Sequence, residues 1–477
     1  MGLTSHQYRA IPEHLVGRSD LRRHAGVFHL WALGVGAVIS GDFFGWNLGL
    51  VAGGFGGLMA ALAVMTLLYI CLCSSIAEMS PALPHAGGAY SFARTSLGPW
   101  CGYITGLAEN MEYIFTPAVI VVGIGGYLGA VFQTPASWTP FWWLLCYAVF
   151  AGLNIMGVET SFRVTAMVCV CALAILSVFA IGAAPHFDLH RWALEGGGWL
   201  PKGSSGIFAS LPFALWVYLG IEQMPLAAEE AHEPAETMPR GIFWALVTLV
   251  VFAFAVLILN AGIAPGAAAV GISTEPLFLG FRTIFGAGLR SRALALFACT
   301  GLIASFHAII YAYGRQIYSL ARAGYFPPWL SITHKTRKTP YRALIVGSLI
   351  GYATALGIYL LPQNNPVAGV LLNMAVFGAV IAYVFQMVSF IALRLRHPAI
   401  VRPFRSPLGI IGAGIAVLIS VVTLVALFVN RDDRPGAWGA LVWFILGLLY
   451  FALYSRKRLL LSPEEEFAVR HGGTATN

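Results

Sequence analysis

The stretch GVGAVISGDFFG, residues 34–45, decides the architecture of this chain. It places one aspartate, Asp42, inside the first long apolar segment, with glycines on both sides of it. A lone carboxylate near the centre of a bilayer costs about 2.5–3.5 kcal/mol on insertion scales, so it is rarely kept without a function. Many transporters interrupt a membrane helix at the level of their binding site. The stretch therefore predicts a broken membrane helix whose acid suits a cationic substrate.

The composition predicts a polytopic membrane protein. Of the 477 residues, 58% are hydrophobic and only 10% are charged, against about 25% charged residues in soluble domains. The net charge of +8 lies mostly in the connections between apolar segments, which argues for membrane topology and against a nucleic-acid partner. The seven cysteines are scattered and are interpreted as reduced packing residues. No catalytic triad, metal cluster or nucleotide motif is found, so we expect neither an enzyme nor a cofactor.

The apolar segments predict an all-α protein with twelve membrane helices, because a spanning helix needs about 20 mostly apolar residues. An even number of crossings places both termini on one side. Of the 28 Lys and Arg residues, 21 fall in segments on that side, so the positive-inside rule predicts cytoplasmic termini in a bacterial inner membrane. The predicted segments are approximately 27–52, 56–79, 99–131, 139–157, 161–184, 205–229, 241–264, 293–320, 342–361, 366–393, 408–429 and 437–455.

Two of these segments, the first and the sixth, show the signs of a break. The sixth contains LPFALWVYLGIE, residues 211–222, and lies five helices after the first. Interruptions at matching positions of two halves indicate an inverted repeat with the binding site at the breaks. The alternative is that glycine is simply frequent in membrane helices. We expect a cytoplasmic segment 1–25, a ten-helix core 26–394 with repeats 26–184 and 205–394, accessory helices 395–456 and a cytoplasmic tail 457–477.

Several motifs in order give the chain a resemblance to the amino acid–polyamine–organocation permeases. The Gly-rich motif G-x-x-x-G-S-G-x-F of that superfamily resembles GAVISGDFF (36–44), and its aromatic-Gly-x-Glu break resembles WVYLGIE (216–222). AEE (228–230), PRGI (239–242) and YSLARAGYFP (318–327) follow in the family order. Within the superfamily, ISGDFFGWN (39–47) and ENMEY (109–113) are most similar to the bacterial ethanolamine permeases. The resemblance implies the LeuT-like fold of five plus five helices, with helices 1 and 6 broken.

The resemblance also implies where the substrate binds. In amino-acid permeases of this fold, backbone N–H groups at the first break hold the substrate carboxylate, and carbonyls at both breaks receive its ammonium. Asp42 stands where the family has the second Gly of Gly-Ser-Gly, so the chain departs from the family pattern. A carboxylate there repels an amino acid and attracts an amine that has no carboxylate. The substrate-binding residues expected on this basis are Ser40, Gly41, Asp42, Phe43, Tyr113, Trp216, Val217 and Tyr218.

Other roles stay open for the residues at the two breaks. Asp42 is expected to contact the ammonium, but a cap on a helix resuming at Phe43 or a role in proton or ion coupling are alternatives. The resemblance makes Trp216 an aromatic lid, and cation–π attraction to a desolvated ammonium is worth about 2 kcal/mol. Core packing is the alternative for Trp216 and Tyr218. Glu222 either helps to close the inner side of the site or is an acid stabilised by the dipole of the resumed helix.

Acids in the third segment form a second candidate group. Glu109, Glu112, Tyr113 and Thr116 share one helix face, and two acids in a membrane helix rarely face lipid. Glu109 is expected to join Glu222 in an inner gate, or Glu109 or Glu112 to carry a coupling proton. The alternative is a fixed partner for each acid, such as Asn110, a group on the tenth helix or a cytoplasmic arginine.

The eighth segment holds candidates for ion coupling. In sodium-coupled relatives of this fold, hydroxyls of helix 8 and carbonyls of helix 1 bind sodium, which suggests Thr300 and Ser305, although hydroxyls bonded to their own helix are commoner. His307 is a candidate proton carrier, with an interhelical hydrogen bond as the alternative. The coupling ion therefore stays open between proton and sodium.

Together these features predict a permease for ethanolamine, a small protonated amino alcohol, that works by alternating access. A permease for choline, a polyamine or a cationic amino acid is the alternative within the same class. A non-transporting amine sensor is the alternative from a different class. The expected partners are the small-molecule amine and the lipid bilayer, and the sequence leaves the oligomeric state open.

Overall fold

The computed structural model describes residues 25–84, 87–195, 197–286, 288–360, 367–429 and 434–460. The described chain is built from helices, and a β-type bridge joins Ala25 to Ala231. The predicted N-terminal segment 1–25, apart from Ala25, and residues 461–477 of the predicted tail lie outside the described residues. The predicted all-α fold class is confirmed.

Eleven of the helices in the described ranges are long and apolar enough to cross a membrane. The first predicted span is not among them because it is interrupted, as expected. The helices are α1 (Val27–Val38), α2 (Ser40–Phe43), α3 (Leu48–Ala82), α4 (Gly88–Leu97), α5 (Pro99–Phe132), α6 (Thr139–Met156), α7 (Val158–Ala183), α8 (Gly203–Trp216), α9 (Pro234–Ala261), α10 (Ala267–Gly271), α11 (Pro276–Phe285), α12 (Leu289–Arg322), α13 (Tyr341–Leu360), α14 (Val367–Arg396), α15 (Gly409–Val429) and α16 (Arg434–Leu453).

Helix α3 joins the end of the first predicted span to the whole of the second. Gly54 lies inside it with φ 72° and ψ 179°, a conformation that only glycine adopts readily. The chain turns at this residue, so the predicted boundary between residues 52 and 56 is confirmed. The short helices α4, α10 and α11 in the connections were not predicted from the sequence.

The two interrupted segments pack directly against each other. A Cβ atom added to Gly41 would lie 2.9 Å from the Cα atom of Val217 and 3.0 Å from the carbonyl oxygen of Trp216. Only a residue without a side chain permits this approach. Around the contact, α5 packs against α12 and α14, α3 packs along α8, and α1 packs against α9. The breaks are thus enclosed by the longest helices of the protein.

Both ends of the described chain lie at the same end of the molecule. The N–H group of Ala25 donates to the Glu230 carbonyl at 2.9 Å, and that of Leu460 donates to the Ala323 carbonyl at 3.2 Å. Ala323 directly follows α12, whose Arg322 pairs with Glu229 at 3.0 Å. This arrangement agrees with an even number of membrane crossings.

Ion pairs close this end of the molecule. Arg315 of α12 lies 3.1 Å from Glu230, and the two side chains are 1% and 0% exposed. Glu230 also accepts a hydrogen bond from the Tyr311 hydroxyl. Glu78 at the end of α3 binds both Arg394 at 2.5 Å and Arg402 at 3.2 Å. Glu78, Glu229 and Glu230 therefore each have an arginine as a counter-ion.

Loss of Arg315 tests how strongly the closed end depends on its ion pair. Arg315→Ala leaves the Glu230 carboxylate buried without its cation, which typically costs about 3–5 kcal/mol. The matched control is Arg240→Ala, because Arg240 and Glu236 are 3.6 Å apart with side chains 67% and 64% exposed, and such pairs contribute about 0–1 kcal/mol. Thermal unfolding in detergent should show a large fall in melting temperature for the first variant only. Equal shifts would contradict this account.

A methyl group at Gly41 tests the contact between the breaks. Gly41→Ala must move the backbone of residues 216–217, and overpacking of this kind typically costs about 1–3 kcal/mol. Gly152→Ala in α6 is the control, because no atom lies within 4 Å of its added Cβ. We expect unfolding of the purified protein at a lower denaturant concentration for Gly41→Ala and no loss of stability for Gly152→Ala. A neutral Gly41→Ala would show that the breaks are not in firm contact.

Candidate functional site

The first break is longer than the sequence suggested. Helix α1 ends at Val38, the four-residue helix α2 follows, and a regular helix resumes only at Leu48. Phe44 is extended, with φ −161° and ψ 148°, and Gly45 has φ 95°, which favours glycine. The expectation that the helix resumes at Phe43 is therefore wrong. The backbone at 44–47 leaves the helical path because Gly45 permits a conformation that other residues avoid.

Asn47, which the sequence did not single out, fixes this break. Its Oδ1 atom accepts a hydrogen bond from the Gly45 N–H group at 3.1 Å. Its Nδ2 atom lies 2.9 Å from the carbonyl oxygens of both Val270 and Ser273. One buried amide thus joins the break to the connection between α10 and α11. A lone Asn between Trp46 and Leu48 gave no signal for this long-range role.

Asp42 has no polar partner in the part of the chain that the structure describes. Its carboxylate forms no hydrogen bond that caps α2 or α3, so the capping alternative is wrong. Asp42 is only 2% exposed, so its carboxylate is almost completely removed from water. It faces a small cavity with room for about one water molecule. The other residues lining this cavity are Trp46, Leu58, Leu62, Val217, Ala253, Val256 and Leu257.

The position of this cavity shows which helices surround Asp42. Leu58 and Leu62 belong to α3, and Val256 belongs to α9. The Asp42 carboxylate thus lies on the side of the first break that faces α3 and α9, and not on the side that faces α5. Tyr218, at the second break, lies within electrostatic range of it and bonds Thr66 of α3 at 2.8 Å. Of the predicted substrate-binding residues, Tyr218 thus lies near Asp42, whereas Tyr113 lies near the acids of α5.

The second break runs from Val217 to Gly220. Helix α8 ends at Trp216, Gly220 has φ 113°, and a 3₁₀ segment continues from Ile221 to Glu230. The Trp216 indole N–H donates to the Phe44 carbonyl at 2.9 Å, and the ring lies against Gly45. Trp216 therefore links the two breaks.

The remaining substrate-binding candidates of the first break lie against α12 and α5. The Ser40 N–H group donates to the Ser305 hydroxyl at 2.9 Å, and that hydroxyl donates to the Gly36 carbonyl at 2.7 Å. The Phe43 ring packs where a side chain on Gly301 would stand. The Phe43 carbonyl accepts from the Tyr127 hydroxyl at 3.1 Å. Backbone groups of the break are thus held by hydroxyl groups of two neighbouring helices.

Thr300 and Ser305 do not come together at a common site. The Thr300 hydroxyl donates to the Phe297 carbonyl of its own helix at 2.6 Å. Ser305, five residues later, contacts the first break directly through its hydroxyl. Thr300 thus matches the alternative of a hydroxyl bonded to its own helix, whereas the Ser305 hydroxyl bonds the Gly36 carbonyl of the first predicted span.

His307 joins three helices and is separate from the buried acids at the breaks. Its Nδ1 atom lies 3.0 Å from the Asn154 Nδ2 atom, and its Nε2 atom lies 3.0 Å from the Ser161 hydroxyl. Asn154 Nδ2 also contacts the Phe150 carbonyl at 3.0 Å, so it is the donor and Nδ1 the acceptor. Both ring nitrogens of His307 therefore take part in hydrogen bonds, as the acceptor and the donor of a neutral imidazole. This geometry corresponds to the interhelical hydrogen-bond alternative.

Three acids meet between α5 and the second break. Glu112 lies within electrostatic range of both Glu222 and Glu109. Glu222 Oε2 accepts from the Gly220 N–H at 3.1 Å, which matches the predicted acid at the start of a resumed helix. Tyr113 lies within range of all three acids, as its predicted helix face requires. We call Glu109, Glu112 and Glu222 the acid cluster.

Only Glu109 of the acid cluster is well provided with hydrogen bonds. It accepts from the Gln316 side chain at 2.6 Å and from the Tyr90 N–H group at 3.1 Å. Both oxygens of Glu112, and Oε1 of Glu222, have no hydrogen-bond donor. Gln316 could not be predicted as a partner, because it lies in α12, over 200 positions from Glu109.

A large cavity reaches the breaks from the end opposite the ion pairs. It has a volume of about 1390 Å³ and extends to Phe44 and Phe213. Helix α14 begins at its wall with Val367 and runs to Arg394 at the closed end. The protein is thus open toward one side of the breaks and closed by ion pairs on the other.

Comparisons with known proteins agree with this architecture. The family model described as amino acid permease matches residues 29–458. An uncharacterized transporter of Rhizobium meliloti is 30% identical over 91% of this chain and 92% of its own length. The branched-chain amino acid permease of Bacillus subtilis is 26% identical over 94% and 96%. The methylthioribose transporter of the same organism is 26% identical over 93% and 95%.

Three findings agree with one another. The two broken helices touch at their breaks, a cavity reaches the breaks from one end, and the family match covers nearly the whole chain. The match is not confined to a single motif, since it includes both breaks and the ion-paired end. The chain belongs to the amino acid permease family and is a membrane transporter.

Proposed function

We propose that this protein is a secondary active transporter for ethanolamine, with Asp42 as the partner of the substrate ammonium. The observation that carries the proposal is the buried Asp42 carboxylate, which has no cation or donor among the described residues. The arginine-paired acids Glu78, Glu229 and Glu230 at the closed end show how the same chain stabilises acids that serve structure. Asp42 lacks such a partner because the substrate provides it.

Charge selects the class of substrate. Two opposite charges 4 Å apart attract by about 4 kcal/mol at an effective dielectric constant of 20, from which desolvation must be subtracted. The resemblance places a substrate carboxylate at the first break, where Asp42 now adds a negative charge. An amine without a carboxylate gains the attraction and avoids the repulsion. This argument favours ethanolamine over a zwitterionic amino acid.

The surroundings of Asp42 suit a small ammonium group. Trp46 lines the same cavity, and the Tyr218 ring is close by. Aromatic faces attract a desolvated ammonium by about 2 kcal/mol. Because the cavity has room for about one water molecule, any substrate must displace the surrounding side chains. A small amine therefore needs less displacement than a polyamine or choline.

The open and closed ends give the transport cycle its direction. We assign the closed end, which holds Ala25 and Leu460, to the cytoplasm on the basis of the positive-inside rule, and the large cavity to the outer side of a bacterial plasma membrane. In alternating access the cavity closes over the substrate and the ion pairs at the other end separate. Trp216, bonded to the Phe44 carbonyl, moves with the first break in this cycle.

Amino-acid uptake is the second candidate function. It is favoured by the printed names of two relatives, a branched-chain amino acid permease and a D-serine/D-alanine/glycine transporter of Escherichia coli, which is 24% identical over 77% of this chain. Choline, polyamines and cationic amino acids are further substrates that the same carboxylate would attract. A sensor that binds an amine without moving it differs in producing no uptake.

The test is uptake of labelled ethanolamine by proteoliposomes that contain the purified protein. We expect saturable uptake that unlabelled ethanolamine inhibits more strongly than alanine, leucine, choline, putrescine or arginine. Asp42→Asn should weaken ethanolamine binding at least tenfold, since loss of about 1.4 kcal/mol of attraction already has that effect. Asp188→Asn is the control, because Asp188 is exposed and only accepts from the Arg191 N–H group.

Three results would contradict the proposal. Unchanged ethanolamine affinity in Asp42→Asn would remove the ammonium contact from Asp42. Inhibition by alanine or leucine, but not by ethanolamine, would establish amino-acid uptake instead. Binding of ethanolamine to the purified protein without any accumulation in the vesicles would identify a sensor.

A further inference from the structure

The small cavity beside Asp42 is lined by two polar side chains of opposite hydrogen-bonding character. Asp42 has a carboxylate, which only accepts hydrogen bonds when it is ionised, and Trp46 has an indole N–H group, which only donates. The other six lining residues are aliphatic. A molecule that enters the cavity therefore meets one acceptor and one donor within an apolar wall.

The indole N–H group of Trp46 has no hydrogen-bond acceptor among the described residues. Trp46 is only 2% exposed, so bulk water does not reach it. Although Trp46 lines the same cavity as Asp42, its N–H group does not donate to the carboxylate. An unpaired buried donor is costly, and nearly all such groups in native proteins have a partner. Trp46 and Asp42 thus each lack a partner that a bound molecule can supply.

The other polar aromatic side chains at the breaks already have partners. The Trp216 indole N–H donates to the Phe44 carbonyl at 2.9 Å. The Tyr218 hydroxyl lies 2.8 Å from the Thr66 hydroxyl, which itself donates to a carbonyl of its own helix, so Tyr218 is the donor in that pair. Among these three aromatic residues, the donor that a bound molecule can use is therefore that of Trp46.

Hydrogen bonds on both sides of Trp46 hold it in the first break. The Gly45 N–H group donates to the Asn47 side chain at 3.1 Å, and the Gly49 N–H group donates to the Trp46 carbonyl at 3.0 Å. Asn47 is itself bonded to carbonyls of the connection between α10 and α11. Because Trp46 follows Asp42 by four residues, the same irregular stretch of backbone carries both side chains. The donor and the acceptor are thus parts of one pre-formed site.

We propose that Trp46 makes the transporter selective for amino alcohols, because its indole N–H donates to the substrate hydroxyl while Asp42 binds the substrate ammonium. This assignment, which rests on the proposed function, adds a second polar contact to the same site. An ammonium group only donates hydrogen bonds, so it provides a partner for Asp42 and none for Trp46. The hydroxyl oxygen of an amino alcohol accepts the hydrogen bond from Trp46. A small primary amine that also has a hydroxyl group therefore satisfies both side chains.

The two contacts distinguish amino alcohols from other organic cations. A diamine has a second ammonium group, which cannot accept a hydrogen bond from the Trp46 N–H. Choline has a hydroxyl group, but its quaternary nitrogen has no N–H to donate to Asp42. A simple alkylamine pairs with Asp42 and leaves the Trp46 N–H without an acceptor. A site that bonds a substrate hydroxyl discriminates strongly against analogues that lack it.

Binding titrations of the purified protein with ethanolamine and propylamine test the role of Trp46. Propylamine has a methyl group where ethanolamine has its hydroxyl, and both molecules carry an ammonium group at neutral pH. We expect the wild type to bind propylamine about tenfold or more weakly, because the buried Trp46 donor stays unpaired. Trp46→Phe removes this donor, so it should weaken ethanolamine binding and make the two amines nearly equal in affinity.

Two further variants separate the hydrogen bond from packing and charge. Trp143→Phe is the matched control, because it removes another buried indole N–H that has no partner in the described ranges and does not line the Asp42 cavity. Its ratio of the two affinities should equal that of the wild type. Asp42→Asn should weaken the binding of both amines and keep their ratio. If Trp46→Phe does not fold, incorporation of benzothienylalanine in place of Trp46 replaces the N–H with sulfur in a ring of the same shape.

The results also separate the role of Trp46 from the proposed function. Equal affinity of the wild type for ethanolamine and propylamine would overturn the role of Trp46 and leave ethanolamine as the substrate. The same holds for an equal loss of both affinities when the Trp46 N–H is removed, since the ring would then contribute only packing. No binding of ethanolamine to the wild type would overturn the proposed function and, with it, this assignment.

Discussion

The structure depends on how acids are stabilised where water is scarce. An ionised carboxylate in an apolar interior needs a cation, several donors or a proton, because desolvation otherwise exceeds any local gain. The chain uses arginine at one end, where Glu230 pairs with Arg315 and Glu78 with Arg394. Along the two breaks it uses none: Asp42, Glu112 and Glu222 have no arginine partner in the described ranges. This division separates the ion-paired closed end from the buried acids at and beside the breaks.

The features that the sequence predicted are those with local causes. Membrane spans follow from runs of apolar residues, and the breaks follow from glycines close to an acid in an apolar segment. Gly41 and Gly220 could be placed at the breaks from the sequence because each depends on its own lack of a side chain. Gly41 permits the close approach of residues 216–217, and Gly220 adopts a φ of 113°. The helix face shared by Glu109, Glu112 and Tyr113 followed equally from helical spacing.

The features that it could not predict depend on contacts between distant segments. The side of the break to which Asp42 points is set by the packing of α3 and α9 around α2. The meeting of Glu112 with Glu222 requires the three-dimensional positions of two segments 110 residues apart. For His307 the sequence left open a proton carrier or an interhelical hydrogen bond, and the positions of Asn154 and Ser161 at its two nitrogens correspond to the second. The resumption of the helix at Leu48 rather than Phe43 followed from the conformation of Gly45, which no spacing rule specifies.

The 3₁₀ segment Ile221–Glu230 carries both kinds of buried acid, those that are paired with an arginine and one that is not. A 3₁₀ stretch of this length is unusual, because runs beyond three or four residues have poor hydrogen-bond geometry, and such stretches often mark hinges. Its first turn carries Glu222, which has no arginine, and its last residues carry Glu229 and Glu230, which have one each. A weakly held helix with ion pairs at one end and an uncompensated acid at the other can shift when the acid gains or loses a charge. The segment therefore connects the uncompensated acid of the second break directly to the ion pairs of the closed end.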